Sequence, residues 1–351
     1  PCRRRHHSGV MMKAANEMFT KPAPAVKPGD LAVVVGAGVS GVAAAKLLHK
    51  LGARVRLLDR SLDRIPADFA EWAESAGVEI VCGEHSPSQF RDAKLVVPSP
   101  GVAAAVISKF LPDDNPPEIM AETELAWRQL SGEPVLGVTG TSGKTTTTSL
   151  CAAMLKEQGL TVFTGGNIGT PLLPQVNEMH PEDYAVVELS SFQLMDMRRS
   201  PHVAVVTNLA PNHLDIHKDM EEYVEAKKNI FRFQKAGDVL ILNHDNTITD
   251  GFTGNGATLK FSRRERTQGA WVEDGTIFVL GRPVLKTADI LIPGVHNIEN
   301  YMAAILAVQG LVDDDTIRNV ARTFGGVEHR IELVRVKDRV RYYNDSIATS
   351  P

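Results

Sequence analysis

Residues 136–150, LGVTGTSGKTTTTSL, have the pattern of a buried strand, a glycine turn and the start of a helix. The spacing of Gly140, Gly143 and Lys144 is typical of a loop that cradles phosphate, because backbone N–H groups and a helix N-terminus then face an anion. Lys144 would add a mobile positive charge, and the hydroxyl of Thr145 would be a ligand of Mg²⁺. The stretch therefore predicts an ATP site between a strand and a helix.

This loop departs from the strict phosphate-loop pattern. The first position of the pattern falls on Val138, and the extra glycine is Gly137. A helix cap rich in serine and threonine, with an incidental lysine, is the alternative interpretation. We expect the following residues to bind ATP: Gly140, Thr141, Ser142, Gly143, Lys144, Thr145 and Thr146.

A second glycine turn, VVVGAGVSG at 33–41, also lies between a predicted strand and a predicted helix. Gly36, Gly38 and Gly41 satisfy G-x-G-x-x-G, which in this context is a plausible cradle for a dinucleotide or a nucleoside diphosphate. Asp59 ends the following strand, where its carboxylate could accept a hydrogen bond from a ribose or a base. A tight turn that needs glycine only for packing is the alternative, and the spacing alone leaves the nucleotide open.

Length and composition indicate a multidomain globular enzyme. The 351 residues are too many for one ordinary core and suit two or three domains. With 43% hydrophobic residues, 23% charged residues and a net charge of −4, the chain lacks the basic excess of nucleic-acid binders. Its three cysteines have no metal-ligand or disulfide spacing, and no apolar stretch is long enough for a transmembrane helix. A soluble protein of a reducing, cytosolic compartment fits best.

Alternating strand and helix patterns predict an α/β fold in successive domains. Residues 24–121 have the pattern of a small Rossmann-like domain with a parallel sheet. The pattern restarts over 122–328, whose continuously apolar strands are typical of a parallel sheet buried on both faces, with antiparallel hairpins expected over 250–281. Residues 329–351 begin a third α/β domain, and residues 1–23 are expected to be a disordered or non-native tail.

The form TGTSGKTT (139–146) resembles the phosphate loop of the Mur ligases and of their relative folylpolyglutamate synthase. With the glycine-turn domain in front, the resemblance covers about residues 30–351 and is closest to the members that join D-glutamate to UDP-N-acetylmuramoyl-L-alanine (UDP-MurNAc-L-Ala). Further stretches occur in the family's order: GGNIGTPLL (165–173), VVELSSFQL (186–194), TNLAPNHLDIH (207–217), YVEAKKNIF (223–231), PGVHNIENYMAA (293–304), VEHRIELV (327–334) and YYNDSIATSP (342–351).

The resemblance implies an ATP-dependent ligase of peptidoglycan-precursor synthesis. ATP would phosphorylate the terminal carboxylate of UDP-MurNAc-L-Ala, and the amine of D-glutamate would attack the acyl phosphate. It further implies two Mg²⁺ ions, a cytoplasmic location, a monomer, and no nucleic-acid or membrane partner. No nicotinamide cofactor would be involved.

By the same resemblance, four residues hold the metal ions: Thr145, Glu188, His213 and Lys227, the last as a carbamate formed with CO₂. A carbamate carries a negative charge, which would turn a cation near Mg²⁺ into a ligand. Three of the four have a plainer alternative, namely a solvated strand end for Glu188, ordinary surface for His213 and a solvated helix face for Lys227. The neighbouring Lys228 is expected to be surface. Lys144, Glu188, His213 and Lys227 are the expected catalytic residues.

The resemblance also predicts which other residues contact ATP and the substrate. Asn297 and Asn300 lie one helical turn apart and would read adenine, although they could instead cap a helix, and Asn167 could be a turn residue. Arg330 and Asp345 would join the ATP site when the third domain closes. Asp59 would bind the uridine. The expected substrate residues are Gly36, Gly38, Val39, Ser40, Gly41, Asp59, Ser99, Gly101, Asn167, Ser190 and His213.

Two departures from the family accompany the resemblance. Ile347 stands where many members have a lysine, NDSKAT, and the sequence ends at Pro351, within the first strands of the third domain. We therefore expect these residues to bind the UDP-sugar and to form no ligated product, with ATP binding left open. The alternatives are another Mur ligase, a folylpolyglutamate synthase, an inactive nucleotide-binding module, or an NAD-dependent oxidoreductase. The turn at 33–41 argues against the synthase, which has no preceding UDP-type domain.

Overall fold

The described residues form two larger sheets, each covered by helices, and a separate two-stranded sheet, which confirms the predicted α/β class. None of the described helices is both long and apolar enough to cross a bilayer. The computed structural model describes residues 25–100, 102, 104–130, 134–166, 171–210, 219–327, 332–337 and 340–344.

The first sheet carries the first glycine turn. Its elements are β1 (Leu31–Val35), α1 (Val39–Lys50), β2 (Arg54–Asp59), α2 (Ala67–Ala76), β3 (Glu79–Cys82), β4 (Ala93–Pro98), α3 (Ala104–Ser108) and β5 (Glu118–Ile119). The strands are parallel and lie in the order β3-β2-β1-β4-β5. From β1 the chain continues to β2 and β3 on one side, and then to β4 and β5 on the other side, so the strand order changes direction between β1 and β4. Ligands of such sheets bind at this point, beyond the carboxyl ends of the strands.

The second sheet carries the phosphate loop. Its elements are α4 (Glu122–Trp127), β6 (Val135–Thr139), α5 (Lys144–Glu157), β7 (Val162–Gly166), β8 (Tyr184–Glu188), α6 (Ser191–Asp196), β9 (Val203–Val206), α7 (Met220–Arg232), β10 (Val239–Asn243), α8 (Thr247–Asp250), β11 (Ala257–Ser262), β12 (Ala270–Glu273), β13 (Thr276–Val279), β14 (Arg282–Lys286), α9 (Val295–Ala307) and α10 (Asp314–Thr323). The nine strands lie in the order β14-β13-β12-β11-β10-β9-β6-β8-β7. Helices α9 and α10 pack against α5.

This second sheet is mixed: it combines the predicted parallel strands with antiparallel pairing at one edge, and the difference from the prediction is that β11 belongs to the parallel part. The strands from β7 to β12 are parallel, including β11, and β13 runs antiparallel to both of its neighbours, β12 and β14. The reason is the turn chemistry. Asp274 and Gly275 have φ of 46° and 69°, and Leu280 and Gly281 have φ of 49° and 83°. Two successive residues with positive φ form the tight turn that joins consecutive antiparallel strands.

Alternate residues of the central strands pack into opposite cores, as the apolar runs predicted. In β6, Val135 belongs to one buried cluster, whereas Leu136 and Val138 belong to another. In β8, Val187 and Val186 divide in the same way. Successive side chains of a strand point to opposite faces, so strands that are apolar throughout are buried on both sides.

One buried cluster is common to the two sheets. It contains Val34 and Leu57 from the first sheet, Trp127 from α4, and Val187 from the second sheet. All six residues of α4 are buried. The helix that begins at the predicted boundary at 121/122 therefore packs within a continuous core, which fixes the two sheets against each other.

The described part of the third segment is a β-hairpin. It consists of β15 (Glu332–Lys337) and β16 (Val340–Asn344), which pair antiparallel. These strands form a sheet separate from the other two.

Candidate active site

The candidate site lies at the carboxyl edge of the second sheet, where three neighbouring parallel strands end. The phosphate loop follows β6, Leu189 follows β8, and Thr207 follows β9. Because parallel strands present their carboxyl ends at one edge, side chains from distant parts of the chain meet there.

Two glycines of the phosphate loop are required by its backbone. Gly143 caps α5 with a φ of 77°, and a Cβ there would meet Oδ1 of Asn300. Gly140 has a φ of 151°, and a Cβ there would meet the hydroxyl of Thr207. Both positions combine a positive φ with a close neighbour, so only glycine fits. The spacing from which the sequence predicted the loop thus has a steric basis.

Asn208 anchors the loop, and sequence reasoning missed this residue. The amide of Thr141 donates to the Asn208 carbonyl at 2.9 Å, and the amide of Ser142 donates to Asn208 Oδ1 at 3.0 Å. Asn208 Nδ2 in turn donates to the carbonyl of Ser142 at 3.1 Å. Both of these loop amides therefore donate to Asn208 and do not face an anion. The predicted anion binding by backbone N–H groups rests instead on the N-terminus of α5.

Thr145 and Glu188 lie in direct contact. The Thr145 hydroxyl donates to Glu188 Oε2 at 2.7 Å, and both residues are buried. Thr145 lies in the first turn of α5, and Glu188 ends β8. Paired hard oxygen donors of this kind are ligands that Mg²⁺ prefers. The solvated strand end, considered as the alternative for Glu188, is not what the structure shows.

Lys227 is buried beside the same strand ends. Only 2% of the residue is exposed, and its Nζ donates to the Thr139 hydroxyl at 2.9 Å. The nitrogen also lies 5.2 Å from the ring centre of Tyr223. The alternative of a solvated helix face therefore fails for Lys227.

Burial lowers the pKa of Lys227 from 10.5 to about 7. The positive charge of Lys144 lowers the pKa further, whereas the charge of Glu188 opposes the shift. Desolvation disfavours the charged form of an amine, and a second cation adds to that cost. Lys144 itself directs Nζ back to the loop, where it donates to the Thr141 carbonyl at 3.2 Å.

Lys228 has a different environment from its neighbour. Its side chain is 31% exposed, and its Nζ pairs with Glu225 at 2.6 Å. This partly exposed ion pair lies on another face of α7, as expected for the control residue. Adjacent helical residues do not share a face, so only one of the two lysines can reach the site.

Asn297 and Asn300 share a face of α9, as their spacing predicted. Asn300 Nδ2 donates to Asn297 Oδ1 at 3.0 Å, and Thr147 donates to Asn300 Oδ1 at 3.3 Å. The pair is buried and lies against the phosphate-loop helix. The adenine contacts stay a prediction.

In the first sheet, the predicted substrate residues meet at the point where the strand order reverses. The Asp59 carboxylate accepts the amides of Ala37 at 2.8 Å and Ser61 at 3.1 Å, and Ser99 donates to the Gly36 carbonyl at 3.2 Å. Asp59 and Ser99 therefore support the turn itself. The neighbouring members of the turn lie as follows: Gly41 packs on the Gly36 carbonyl, Ser40 is buried, Val39 is exposed, and Gly38 has no protein atom near its Cβ position.

A cleft is lined by residues that lie beside both sheets. Its walls include Ser99, which follows β4 of the first sheet, Gln193 in α6 and Glu222 in α7. Ser190, expected to contact substrate, caps α6 and accepts a hydrogen bond from the Gln193 amide at 3.3 Å.

Glu122 lines this cleft and was missed by sequence reasoning. Only 2% of it is exposed, and Oε1 accepts the Leu173 amide at 2.8 Å. Burial raises the pKa of this carboxyl from 4.5 to about 7, although hydrogen bonds from Leu173 and Thr123 oppose the shift. No local sequence signal identifies Glu122, because the burial of its whole helix comes from packing between distant segments.

Replacing Glu122 with glutamine is expected to change how stability depends on pH. Because the folded-state pKa is raised, the folded chain holds a proton that the unfolded chain releases between about pH 4.5 and 7. The protonated carboxyl contributes its full stabilisation below that range, and this stabilisation is lost as the pH rises through about 7. The loss in unfolding free energy is roughly 3 kcal/mol. The drop in unfolding free energy from pH 5 to pH 8, measured in urea, should shrink by this order in Glu122→Gln.

The matched control is Glu118→Gln, which removes a partly exposed partner of Arg128. The burial of His202 lowers its pKa to about 4, which acts in the opposite direction over part of this range. That contribution is common to all variants and cancels in the comparison. An unchanged pH dependence in Glu122→Gln would contradict the assignment.

Several predicted residues lie outside the described residues, and their roles stay predictions. They are Gly101, Asn167, His213, Arg330 and Asp345, together with Ile347.

Family models and curated relatives match most of the chain. The Mur ligase middle domain matches residues 138–308, and the N-terminal domain of the MurD-like Mur ligases matches residues 30–108. The UDP-N-acetylmuramoylalanine–D-glutamate ligase of Nitratidesulfovibrio vulgaris strain DP4 is 47% identical over 329 residues, which cover 93% of this chain and 71% of the relative. The ligase of the same name from Clostridium kluyveri is 43% identical over 321 residues, covering 91% of this chain and 70% of the relative.

Solved structures share the fold. A murein peptide ligase from Psychrobacter arcticus gives a TM-score of 0.53 at 19% identity, covering 90% of this chain and 73% of that one. MurF from Acinetobacter baumannii gives a TM-score of 0.53 at 15% identity, covering 96% of this chain and 71% of that one. At these identities the likeness concerns the fold alone.

Proposed function

The chain belongs to the Mur ligase family, and on that premise we propose that its site serves the reaction that joins D-glutamate to UDP-MurNAc-L-Ala at the expense of ATP. The relatives that share 47% and 43% of its residues are named for this ligation. The observation in the structure that carries the proposal is the meeting of Thr145, Glu188 and Lys227 beside the phosphate loop. The reaction belongs to peptidoglycan-precursor synthesis, and we propose that a monomer performs it in the cytoplasm.

The chemistry requires activation of a carboxylate. A carboxylate is a poor electrophile because its charge is delocalised. One of its oxygens attacks the γ-phosphorus of ATP, the bond to the β-phosphate oxygen breaks, and ADP leaves. The amine of D-glutamate then attacks the carbonyl carbon of the acyl phosphate, gives up a proton to solvent, and releases inorganic phosphate. The protein has to supply mainly positioning and charge neutralisation.

The phosphate loop provides both of these. Lys144 and the N-terminus of α5 offer positive charge to the phosphates. Asn208 holds the backbone of Thr141 and Ser142, so the loop is ordered before a nucleotide arrives. A pre-ordered site loses less entropy on binding than a flexible one.

Mg²⁺ fits the donor set at the strand end. The Thr145 hydroxyl and the Glu188 carboxylate would hold one ion, since they are buried oxygen donors already in contact. A second ion would be held by His213 and by Lys227 as a carbamate, as the family resemblance implies. When bound, the ions would neutralise the charge of the transferring phosphate.

Carbamylation of Lys227 requires a neutral amine. CO₂ adds to the nitrogen, an N–C bond forms, and one amine proton leaves to solvent, which yields a carboxylate on Nζ. Burial and the charge of Lys144 lower the pKa of Lys227 to about 7, so the neutral form is abundant near neutral pH. The carbamate would carry a negative charge, so its interaction with the positive charge of Lys144 would be attractive instead of repulsive.

The UDP-sugar would lie across the cleft. The diphosphate would bind at the Gly36 to Gly41 turn and the uridine beside Asp59 and Ser99, all in the first sheet. The cleft lined by Ser99 and Gln193 leads from there to the second sheet. The substrate carboxylate would in this way reach the phosphate loop.

Calorimetric titration with UDP-MurNAc-L-Ala tests this proposal. We expect binding that requires the UDP group and that is stronger than binding of UDP-MurNAc, because the terminal L-alanine reaches the second sheet. NAD should not bind. Firm NAD binding together with no binding of either UDP ligand, in a chain that melts cooperatively, would contradict the proposal and favour an oxidoreductase.

A further inference from the structure

Thr139 is a buried polar residue to which the proposed reaction assigns no part. It is the last residue of β6, immediately before Gly140, and it is fully buried. A hydroxyl at this depth needs partners, because an unpaired polar group inside a protein is costly. Its partners are two groups of the candidate site.

The hydroxyl of Thr139 has one proton, and that proton is already used. It donates to the carbonyl of Leu189 at 2.6 Å. Toward Lys227 Nζ, 2.9 Å away, the oxygen can therefore act only as an acceptor. The direction of both hydrogen bonds follows from this count.

We propose that Thr139 is a positioning residue that orients the group carried on Lys227 Nζ, an inference that rests on the proposed carbamylation. The nitrogen of a carbamate keeps a single N–H. If that N–H donates to Thr139, the trigonal nitrogen directs its new carboxylate away from Thr139. An amine, in contrast, keeps further N–H groups and rotates freely about its last bond.

The same hydroxyl also connects Lys227 to Glu188. Leu189, whose carbonyl accepts from Thr139, is the residue after Glu188 at the end of β8. The two candidate ligands come from elements far apart in sequence, yet one side chain is bonded to both segments. Thr139 thereby fixes the position of the lysine relative to the strand-end carboxylate.

The test is ¹³C NMR of the chain in ¹³C-labelled bicarbonate, which detects the carbamate carbon directly and needs no turnover. Lys227→Met identifies the signal by its loss. Thr139→Val keeps the shape and removes the acceptor, and we expect its signal to fall at least about fivefold, the effect of one hydrogen bond. Thr139→Ser keeps the hydroxyl and should keep the signal. Thr148→Val is the matched control, since that buried hydroxyl donates to the Lys144 carbonyl within its own helix.

The outcomes separate the two proposals. Full signal in a cooperatively melting Thr139→Val would overturn the role of Thr139 and leave carbamylation standing. Loss of signal in Thr139→Ser would also overturn it, which keeps the test valid if the valine variant does not fold. Absence of the signal from the unsubstituted chain would overturn carbamylation and this inference together, while binding of UDP-MurNAc-L-Ala would still report on the ligase proposal.

Discussion

Replacing Glu188 with glutamine is expected to weaken the binding of Mg²⁺-ATP by roughly tenfold or more, about 1.4 kcal/mol. Glutamine keeps the size of the side chain and an oxygen that can accept from Thr145. It removes the negative charge, and a hard divalent cation depends on that charge for its affinity. Calorimetric titration with ATP, in the presence and absence of Mg²⁺, measures the effect.

The direction of the change in ATP affinity in the absence of Mg²⁺ makes this prediction specific. In the absence of Mg²⁺, Glu188→Gln should bind ATP at least as tightly as the unsubstituted chain, because a negative charge near the phosphates has been removed. Glu225→Gln, which alters a partly exposed carboxylate on α7, should leave both affinities unchanged. Binding of UDP-MurNAc-L-Ala should be equal in all three proteins. Equal affinity for Mg²⁺-ATP in Glu188→Gln would exclude a metal role for this residue.

The phosphate loop could be predicted from the sequence because its requirements are local. A positive φ at Gly143 and the turn from β6 into α5 depend on neighbouring residues. The departure from the strict pattern also has a structural reason, which the sequence did not show. Gly137 lies within β6, where a Cβ would approach Pro201 to 2.6 Å, so this glycine serves packing. It takes no part in the turn.

The supporting residues could not be predicted, because their roles come from contacts between distant segments. Asn208 anchors a loop more than sixty residues earlier in the chain. Thr139 acts on Lys227, and Glu122 on the amide of Leu173. No local pattern separates such residues from other buried polar groups, since the fold alone decides which segments meet.

Lys227 is an intermediate case, for which a usable signal existed. Tyr223, Ala226, Lys227, Ile230 and Phe231 are all buried and follow the spacing i, i+3, i+4, i+7, i+8 of one helix face. The charged residues around them give the segment the appearance of a solvated helix. The heptad-like spacing places Lys227 inside the apolar stripe and Lys228 outside it, so periodicity distinguishes two lysines that composition does not.

Replacing Lys144 with methionine is expected to weaken ATP binding by about a hundredfold, because a charge-assisted contact with phosphate contributes about 1.5–3 kcal/mol. Methionine keeps the apolar stem and removes the charge at the N-terminus of α5.

Lys156→Met is the matched control, since this exposed lysine lies in the last turn of the same helix, far from the loop. Adenosine, which has no phosphate, should bind both variants and the unsubstituted chain equally, so the loss is specific to the phosphates. Raised ionic strength should weaken ATP binding less in Lys144→Met, because one cation has already been removed from the site. If ATP bound Lys144→Met and Lys156→Met with the same affinity, the glycine turn would be a helix cap with an incidental lysine, and the ATP site would have to lie elsewhere.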